Sequence, residues 1–200
     1  MTDTESLFRG LFALLFVAVV VLRLYYHFKL QTFRENVVPR TERKLTARLR
    51  LLIGIPFFLG IALYIVAPST MAWAQIALPG ALRWLGFVLG AVAIGLLAWV
   101  HQSLGRNFSP TLVIKQEHQL ILRGPYRWVR HPMYTVMLLL HLAYLLVTAN
   151  WFIGIMGLLA IGVVMALRTG DEEKMMLEQF GDEYRAYMQR TGQFMPRLTR

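Results

Sequence analysis

Five long apolar runs alternate with polar segments along this chain of 200 residues. A helix rises about 1.5 Å per residue, so about 20 apolar residues cross the roughly 30 Å hydrocarbon core of a bilayer. The runs predict transmembrane helices at 7–28, 51–67, 81–100, 134–149 and 151–168. The last two are short and nearly adjacent, which predicts a tight helical hairpin with its turn at 148–150.

Individual residues within and before these runs add detail to the predicted helices. Asp3 and Glu5 precede the first run where a signal peptide would carry basic residues, so we expect that run to remain as a helix. Gly54 and Pro56 are expected to kink the second helix or delay its first turn. Small residues allow close helix contact in the third span, where they are Gly86, Gly90 and Gly95.

Past Arg168 the pattern changes from apolar to amphipathic. Residues four apart share one helical face, and this spacing relates Met176, Phe180, Tyr184 and Met188. Segment 169–197 therefore predicts an amphipathic helix outside the membrane, interrupted at Gly181 at a cost of about 1 kcal/mol. The whole chain is expected to be one all-α membrane domain with no Rossmann fold.

Composition agrees with a membrane protein. Hydrophobic residues make up 56% of the chain and charged residues 16%, and the mean hydropathy is +0.49. The net charge of +10 does not indicate nucleic acid, because the basic residues fall between the apolar runs and form no single patch. There are no cysteines, which excludes disulfides, thiolate metal sites and cysteine nucleophiles.

The basic residues also predict an orientation. They concentrate in 29–50, in 101–133 and after 168, whereas the connections 68–80 and 148–151 contain none. Cytoplasmic loops carry the excess of Lys and Arg, so five spans place the N-terminus outside and the C-terminus in the cytoplasm. Segments 101–133 and 169–197 then share the cytoplasmic face.

The segment from His118 to Tyr134 concentrates the polar and aromatic residues. Gly124-Pro125 predicts a turn, because glycine tolerates positive φ and proline fixes its own φ. Pro132 disfavours helical geometry at His131, so a helix should begin directly after His131. A basic loop anchored by interfacial aromatic rings is the alternative interpretation.

Few residues outside this segment could carry chemistry. The chain has no G-x-S-x-G motif and no glycine-rich phosphate loop, and its five histidines lack the pairing of a di-iron site, so we expect no metal. Arg168 and Glu172 lie four apart on one helical face, at the end of an apolar span. They are either part of a site or an ion pair that ends the helix.

The combined motifs resemble the isoprenylcysteine carboxyl methyltransferase family, as a microbial-type member. The resemblance covers roughly residues 101–197, with Pro196 near the family's terminal proline. It rests on His118-x-Leu120, Gly124-Pro125-Tyr126, Arg130-His131-Pro132-x-Tyr134, the short hairpin, Glu172-Glu173 and Phe180-Gly181-x-Glu183-Tyr184.

This resemblance implies S-adenosylmethionine as cofactor and the carboxylate of an isoprenylated cysteine as methyl acceptor. It implies Arg168 as the residue that faces the substrate carboxylate. The cofactor-binding residues that it implies are His118, Gln119, Leu120, Ile121, Tyr126, His131, Pro132, Met133, Tyr134 and Glu172. We expect the cofactor to reach the site from the cytosol and the lipidic acceptor to arrive from the bilayer.

The residues suit that chemistry. A carboxylate such as Glu172 can accept hydrogen bonds from the amino group or the ribose of the cofactor, and Tyr126 and Tyr134 can stack on adenine or face the sulfonium. The free N–H groups after Pro132 can hold the cofactor carboxylate. An acceptor carboxylate is ionised at neutral pH and needs no general base.

The chain departs from the animal enzymes before His118, where Ile114 and Lys115 stand in the neighbourhood of a cofactor-contacting glutamine. The first two spans cannot be aligned with the family, and related families of this fold methylate other acceptors. The acceptor therefore has alternatives: a phospholipid amine or a small thiol. A membrane sterol-type reductase that binds a nicotinamide cofactor is another alternative, and a membrane scaffold without activity is a further one.

Overall fold

A computed structural model describes residues 3–31, 37–39, 44–105, 113–115 and 120–197, with side chains for 3–29, 48–105 and 120–197. The described helices are α1 (Asp3–Gln31), α2 (Lys44–Val66), α3 (Gly80–Leu104), α4 (Pro132–Thr148) and α5 (Trp151–Arg190). Two 3-10 turns cover Pro68–Ala74 and Gly124–Arg127. The mostly helical fold that the sequence predicts is confirmed.

Four of these helices are long and apolar enough to cross a membrane: α1, α2, α3 and α5. The fifth apolar helix, α4, is shorter, at 17 residues. Large apolar side chains cover the outside of the bundle, as lipid contact requires, and Val66 is 83% exposed. The chain is an integral membrane protein.

A small sheet was not predicted. Val37–Pro39 pairs antiparallel with Val113–Lys115 in a two-stranded ribbon. The sequence suggested an extended piece at 111–114, and its described part lies within this second strand. The strand pair joins the two predicted basic segments 29–50 and 101–133.

Helix α2 differs from its prediction at the start. It begins at Lys44, well before the apolar run, and Pro56 lies inside it. Pro56 therefore does not mark the first turn of the helix, so the expected delay is wrong. The polar residues at the start of α2 extend the helix beyond the apolar run, which hydropathy alone cannot indicate.

The predicted hairpin turn is confirmed. Helix α4 ends at Thr148, Ala149 adopts the left-handed conformation at φ 46°, and Asn150 caps α5 by accepting from the Ile153 N–H at 3.1 Å. The Asn150 side chain also donates to the Met71 carbonyl at 3.3 Å. One asparagine thus caps α5 and attaches the connection between α2 and α3 to the hairpin.

Two of the three glycines in α3 account for its close packing. A Cβ at Gly86 would collide with Leu146 and Val147 of α4, and one at Gly90 would collide with Leu15 of α1. Gly95 has open space around it, so its predicted packing role is wrong. The Gly86-x-x-x-Gly90 pair allows α3 to approach both neighbours.

A buried ion pair ties α1 to α3 near the hairpin turn. Arg83 is 3% exposed, and its guanidinium donates to both carboxylate oxygens of Glu5 and to the Val147 carbonyl. The same guanidinium lies 4.1 Å from the centre of the Phe8 ring. These contacts compensate the desolvated charge of Arg83 and hold one end of the bundle together.

Helix α5 does not end where its apolar run ends. It continues from Trp151 to Arg190 and is broken only at Gly181, whose φ of 51° is non-helical. Within the predicted stripe, Tyr184 is buried and Met176, Phe180 and Met188 are half-buried, although the break shifts the helical phase. The buried residues on this part of α5 are Met175, Tyr184 and Tyr187.

We expect Asn150→Ala to lower the free energy of unfolding by about 1–2 kcal/mol, because the α5 cap is lost and the Met71 carbonyl loses its donor. Thermal unfolding in a neutral detergent measures this effect. Asn150→Asp is the matched control: it keeps the capping oxygen and should lose less. Equal stability of Asn150→Ala and the native chain would contradict the capping role.

Candidate active site

One cavity of about 910 Å³ lies among the helices at the end of the bundle opposite the hairpin turn. Residues from all five helices line it, with Leu104 from α3, together with the segment between α3 and α4. One part of its lining is apolar and comes mainly from α2, α4 and α5. Charged and aromatic groups gather in another part, which we call the polar end: Tyr126, Arg130, His131, Tyr134, Arg168 and Glu172.

Glu172 is at the centre of the polar end. Its Oε1 accepts from the Tyr134 hydroxyl at 2.8 Å and lies 3.4 Å from Arg168 Nη2. Its Oε2 lies 3.4 Å from His131 Nδ1. Because the carboxylate is only 21% exposed, these three groups hold it in one orientation facing the cavity.

His131 lies between two carboxylates. Its Nδ1 faces Glu172, and its Nε2 is 3.3 Å from Glu173 Oε1. A neutral imidazole can donate from only one nitrogen, so two carboxylate partners favour the doubly protonated cation. The ring also stacks on Tyr134, with centroids 5.8 Å apart.

Arg130 completes this network on the side away from Glu172. Its Nε donates to Glu173 Oε1 at 2.9 Å, and its Nη1 donates to the Thr191 carbonyl at 2.6 Å. The Arg130 side chain is only 9% exposed. Glu173 is therefore held by two cations, Arg130 and His131.

Local sequence explains why Arg130 and His131 meet α5. Pro132 starts α4, and His131 precedes it at φ −122° and ψ 57°, as the sequence predicts. Because the backbone is non-helical here, its N–H groups can bond to the segment that follows α5. The N–H groups of Arg130 and His131 donate to the carbonyls of Gly192 and Gln193. The segment after α5 is thereby fixed beside the site.

The turn before α4 is also determined by local chemistry. Gly124 has φ 60°, and a Cβ there would collide with the Ser103 side chain at the end of α3. The predicted Gly124-Pro125 turn is confirmed. Tyr126, in this turn, is fixed by its carbonyl, which accepts from the Tyr187 hydroxyl of α5 at 2.6 Å.

The charges of the network shift the pKa of both acid–base partners. Burial opposes the charged form of His131, but the hydrogen bonds to Glu172 and Glu173 outweigh it and raise the pKa of His131. Hydrogen bonding to His131, followed by that to Arg130, lowers the pKa of Glu173 to about 2. Both shifts favour the ionised pair.

Most of the predicted site residues meet in this cavity. Leu120, Ile121, Tyr126, His131, Met133, Tyr134, Arg168 and Glu172 all line it. Pro132 is buried behind the lining and sets the start of α4. His118 and Gln119 lie outside the described residues. The roles given to these residues stay predictions.

Sequence reasoning missed several lining residues. Tyr184 and Tyr187 reach the cavity only because α5 continues past the membrane run, and Arg23 and Arg50 come from helices without a family motif. Arg23 had one signal, since it is a charge within an apolar span. His141 also lines the cavity, and its Nδ1 is bonded to the Met137 carbonyl of its own helix at 2.7 Å.

This arrangement can bind a molecule with a cationic or hydroxyl-rich part at Glu172 and an aromatic part against the tyrosines. The apolar lining can hold a hydrocarbon chain. Both kinds of surface belong to one cavity, so a polar and a lipidic molecule can meet there.

We expect His131→Gln to reduce stability most at mildly acidic pH. A group whose pKa is raised on folding contributes stability fully below its unfolded-state pKa, near 6.5, and loses it as pH rises through the folded-state pKa. Melting temperatures of the native chain and the variant, measured from pH 6 to 9, test this. The difference should shrink toward alkaline pH. A difference that is constant over this range would show that His131 stays neutral.

Comparison with known proteins shows which family this chain is similar to. A family model described as the isoprenylcysteine carboxyl methyltransferase family matches residues 84–178. A solved structure of a eukaryotic intramembrane Ras methyltransferase, isoprenylcysteine carboxyl methyltransferase, superposes with a TM-score of 0.54 at 21% identity, over 78% of this chain. The chain spans 54% of that protein's length. No curated protein matches the chain in sequence. The matched region carries the hairpin, the polar end and Glu172, so this part of the chain is similar to the isoprenylcysteine carboxyl methyltransferase family.

Proposed function

We propose that this protein is an S-adenosylmethionine-dependent methyltransferase that esterifies the carboxylate of an isoprenylated cysteine. One observation carries the proposal: the polar end around Glu172 and the apolar lining belong to a single cavity. Such a cavity can hold a water-soluble methyl donor and a lipidic acceptor in contact. The similarity of residues 84–178 to the isoprenylcysteine carboxyl methyltransferase family supports the same reaction class.

The polar end fits the proposed cofactor. Glu172 offers a carboxylate oriented by Tyr134, Arg168 and His131, which suits an ammonium group or ribose hydroxyls. The rings of Tyr126 and Tyr134 line the same part of the cavity and suit an adenine or a sulfonium. When bound, S-adenosylmethionine would supply an electrophilic methyl group.

The protein's own contribution is to position the reactants. Arg168 lies one helical turn from Glu172 on α5, with its side chain 13% exposed. A guanidinium can bind a carboxylate through two parallel hydrogen bonds, which would direct one oxygen toward the methyl donor. The ionised oxygen needs no general base, so alignment supplies most of the rate enhancement.

We assign the polar end to the cytoplasmic side of the membrane. The supporting observation is the distribution of Lys and Arg, which concentrate in the segments adjoining this end of the bundle. A water-soluble cofactor would then reach Glu172 from the cytosol. The acceptor would slide in from the bilayer along the apolar side chains of α2 and α5.

We expect S-adenosylhomocysteine to bind and Glu172→Gln to weaken it by roughly 10- to 100-fold, because a charge-assisted contact of about 1.5–3 kcal/mol is lost. Isothermal titration calorimetry in detergent measures the affinity. Glu183→Gln, an exposed site on the same helix, is the matched control and should bind as the native chain does.

The same titration with NADPH tests the reductase alternative. Binding of NADPH but not S-adenosylhomocysteine would overturn the methyltransferase proposal. Unchanged S-adenosylhomocysteine affinity in a folded Glu172→Gln protein would remove Glu172 from the cofactor site.

We expect Arg168→Lys to keep S-adenosylhomocysteine affinity and to lower turnover of a prenylcysteine acceptor by at least about tenfold, the equivalent of 1.4 kcal/mol. The ammonium keeps the charge but loses the two-pronged geometry. The exposed Arg185→Lys serves as control. Full turnover by Arg168→Lys would make Arg168 a structural partner of Glu172.

Turnover of amine or thiol acceptors in place of the prenylcysteine would identify the alternative methyltransferases.

A further inference from the structure

Arg23 is a cation within the apolar part of α1 and lines the same cavity. Its Nη1 donates to the Met137 sulfur at 3.5 Å. A thioether is a weak acceptor and carries no charge. Among the residues that the structure describes, no carboxylate lies within ion-pair distance of Arg23. An ionisable group at such a position in a membrane protein generally marks a functional site.

The surroundings of Arg23 are neutral. Met137 and His141 of α4 lie beside it, and the His141 Nδ1 bonds to the Met137 carbonyl. Gly157 of α5 leaves room for the His141 ring, since a Cβ there would collide with it. Phe57 of α2 packs against the same ring at 5.4 Å between centroids. These contacts shape the cavity wall without supplying an anion.

The charges lining the cavity are unequal. Four arginines line it, and Glu172 is the one carboxylate among the described lining residues. Glu173, behind His131, neutralises Arg130, and Glu172 pairs with Arg168. None of these contacts reaches Arg23. The proposed cofactor carries a sulfonium and an ammonium beside its one carboxylate, so its net charge is positive and it would not reduce the excess of cations in the cavity.

We propose that Arg23 forms an anion-binding subsite inside the cavity, which takes the phosphate of an amphipathic lipid. A guanidinium matches the geometry of phosphate oxygens, and the apolar lining beside it suits the lipid chain. The subsite goes beyond the proposed function, because it requires neither cofactor nor methyl transfer. It is also separate from the acceptor carboxylate proposed for Arg168.

Farnesyl phosphate and farnesol share one hydrocarbon chain and differ in the anionic group, so they test the subsite. In calorimetric titration of the full chain in neutral detergent, farnesyl phosphate should bind at least about tenfold more tightly than farnesol. Arg23→Gln should abolish this preference and leave farnesol affinity unchanged. Lys29→Gln is the matched control, because Lys29 is another exposed cation near the same end of α1 and, unlike Arg23, does not line the cavity.

Three outcomes would overturn the subsite: equal affinity of the native chain for the two probes, full preference in folded Arg23→Gln, or equally tight binding of inorganic phosphate alone. The last result would identify a site for free anions, not for a lipid. Should Arg23→Gln fail to fold, Arg23→Met takes its place, because it retains an apolar stem for packing. Its affinities for farnesyl phosphate and farnesol are then compared in the same way. S-adenosylhomocysteine is titrated in parallel, so failure of the proposed function is seen separately.

Discussion

The site depends on the interaction of His131 with two adjacent carboxylates. Glu172 and Glu173 are neighbours on α5, and each faces one nitrogen of the same imidazole. This contact fixes Glu172 toward the cavity and Glu173 toward Arg130. It also joins the start of α4 to the extension of α5, as does the Tyr134–Glu172 hydrogen bond, and the backbone N–H of His131 attaches the segment that follows α5.

The continuity of α5 is what allows a polar site to adjoin a lipidic cavity. The apolar run of α5 ends near Arg168, and the helix continues unbroken through Glu172 as far as Gly181. Beyond this break it goes on to Arg190 and carries Tyr187. Arg168 and Glu172 are thus carried on the same rigid element as the apolar residues that line the cavity. A helix holds such groups at fixed separations, which is the condition for aligning two reactants.

The two ends of the bundle are built differently. Near the hairpin turn, Arg83 is paired with Glu5, and Asn150 is satisfied by its cap and by Met71, so buried polar groups there have internal partners. At the other end, Arg23 lines the cavity with a thioether as its hydrogen-bond partner. The second end has the Arg130–Glu173 ion pair as well, and it combines that network with a cavity that can bind ligands.

The sequence by itself determined the elements whose causes are local. The length of the apolar runs predicts the membrane helices, Asn150 and its neighbours predict the hairpin turn, and Pro132 predicts the start of α4. The spacing of Arg168 and Glu172 placed them on one face. The sequence could not indicate the ribbon between Val37–Pro39 and Val113–Lys115, because strand pairing joins distant segments. Nor could it indicate that Glu173 binds Arg130 and His131 or that Arg23 lines the cavity, because both follow from how α1, α4 and α5 pack together.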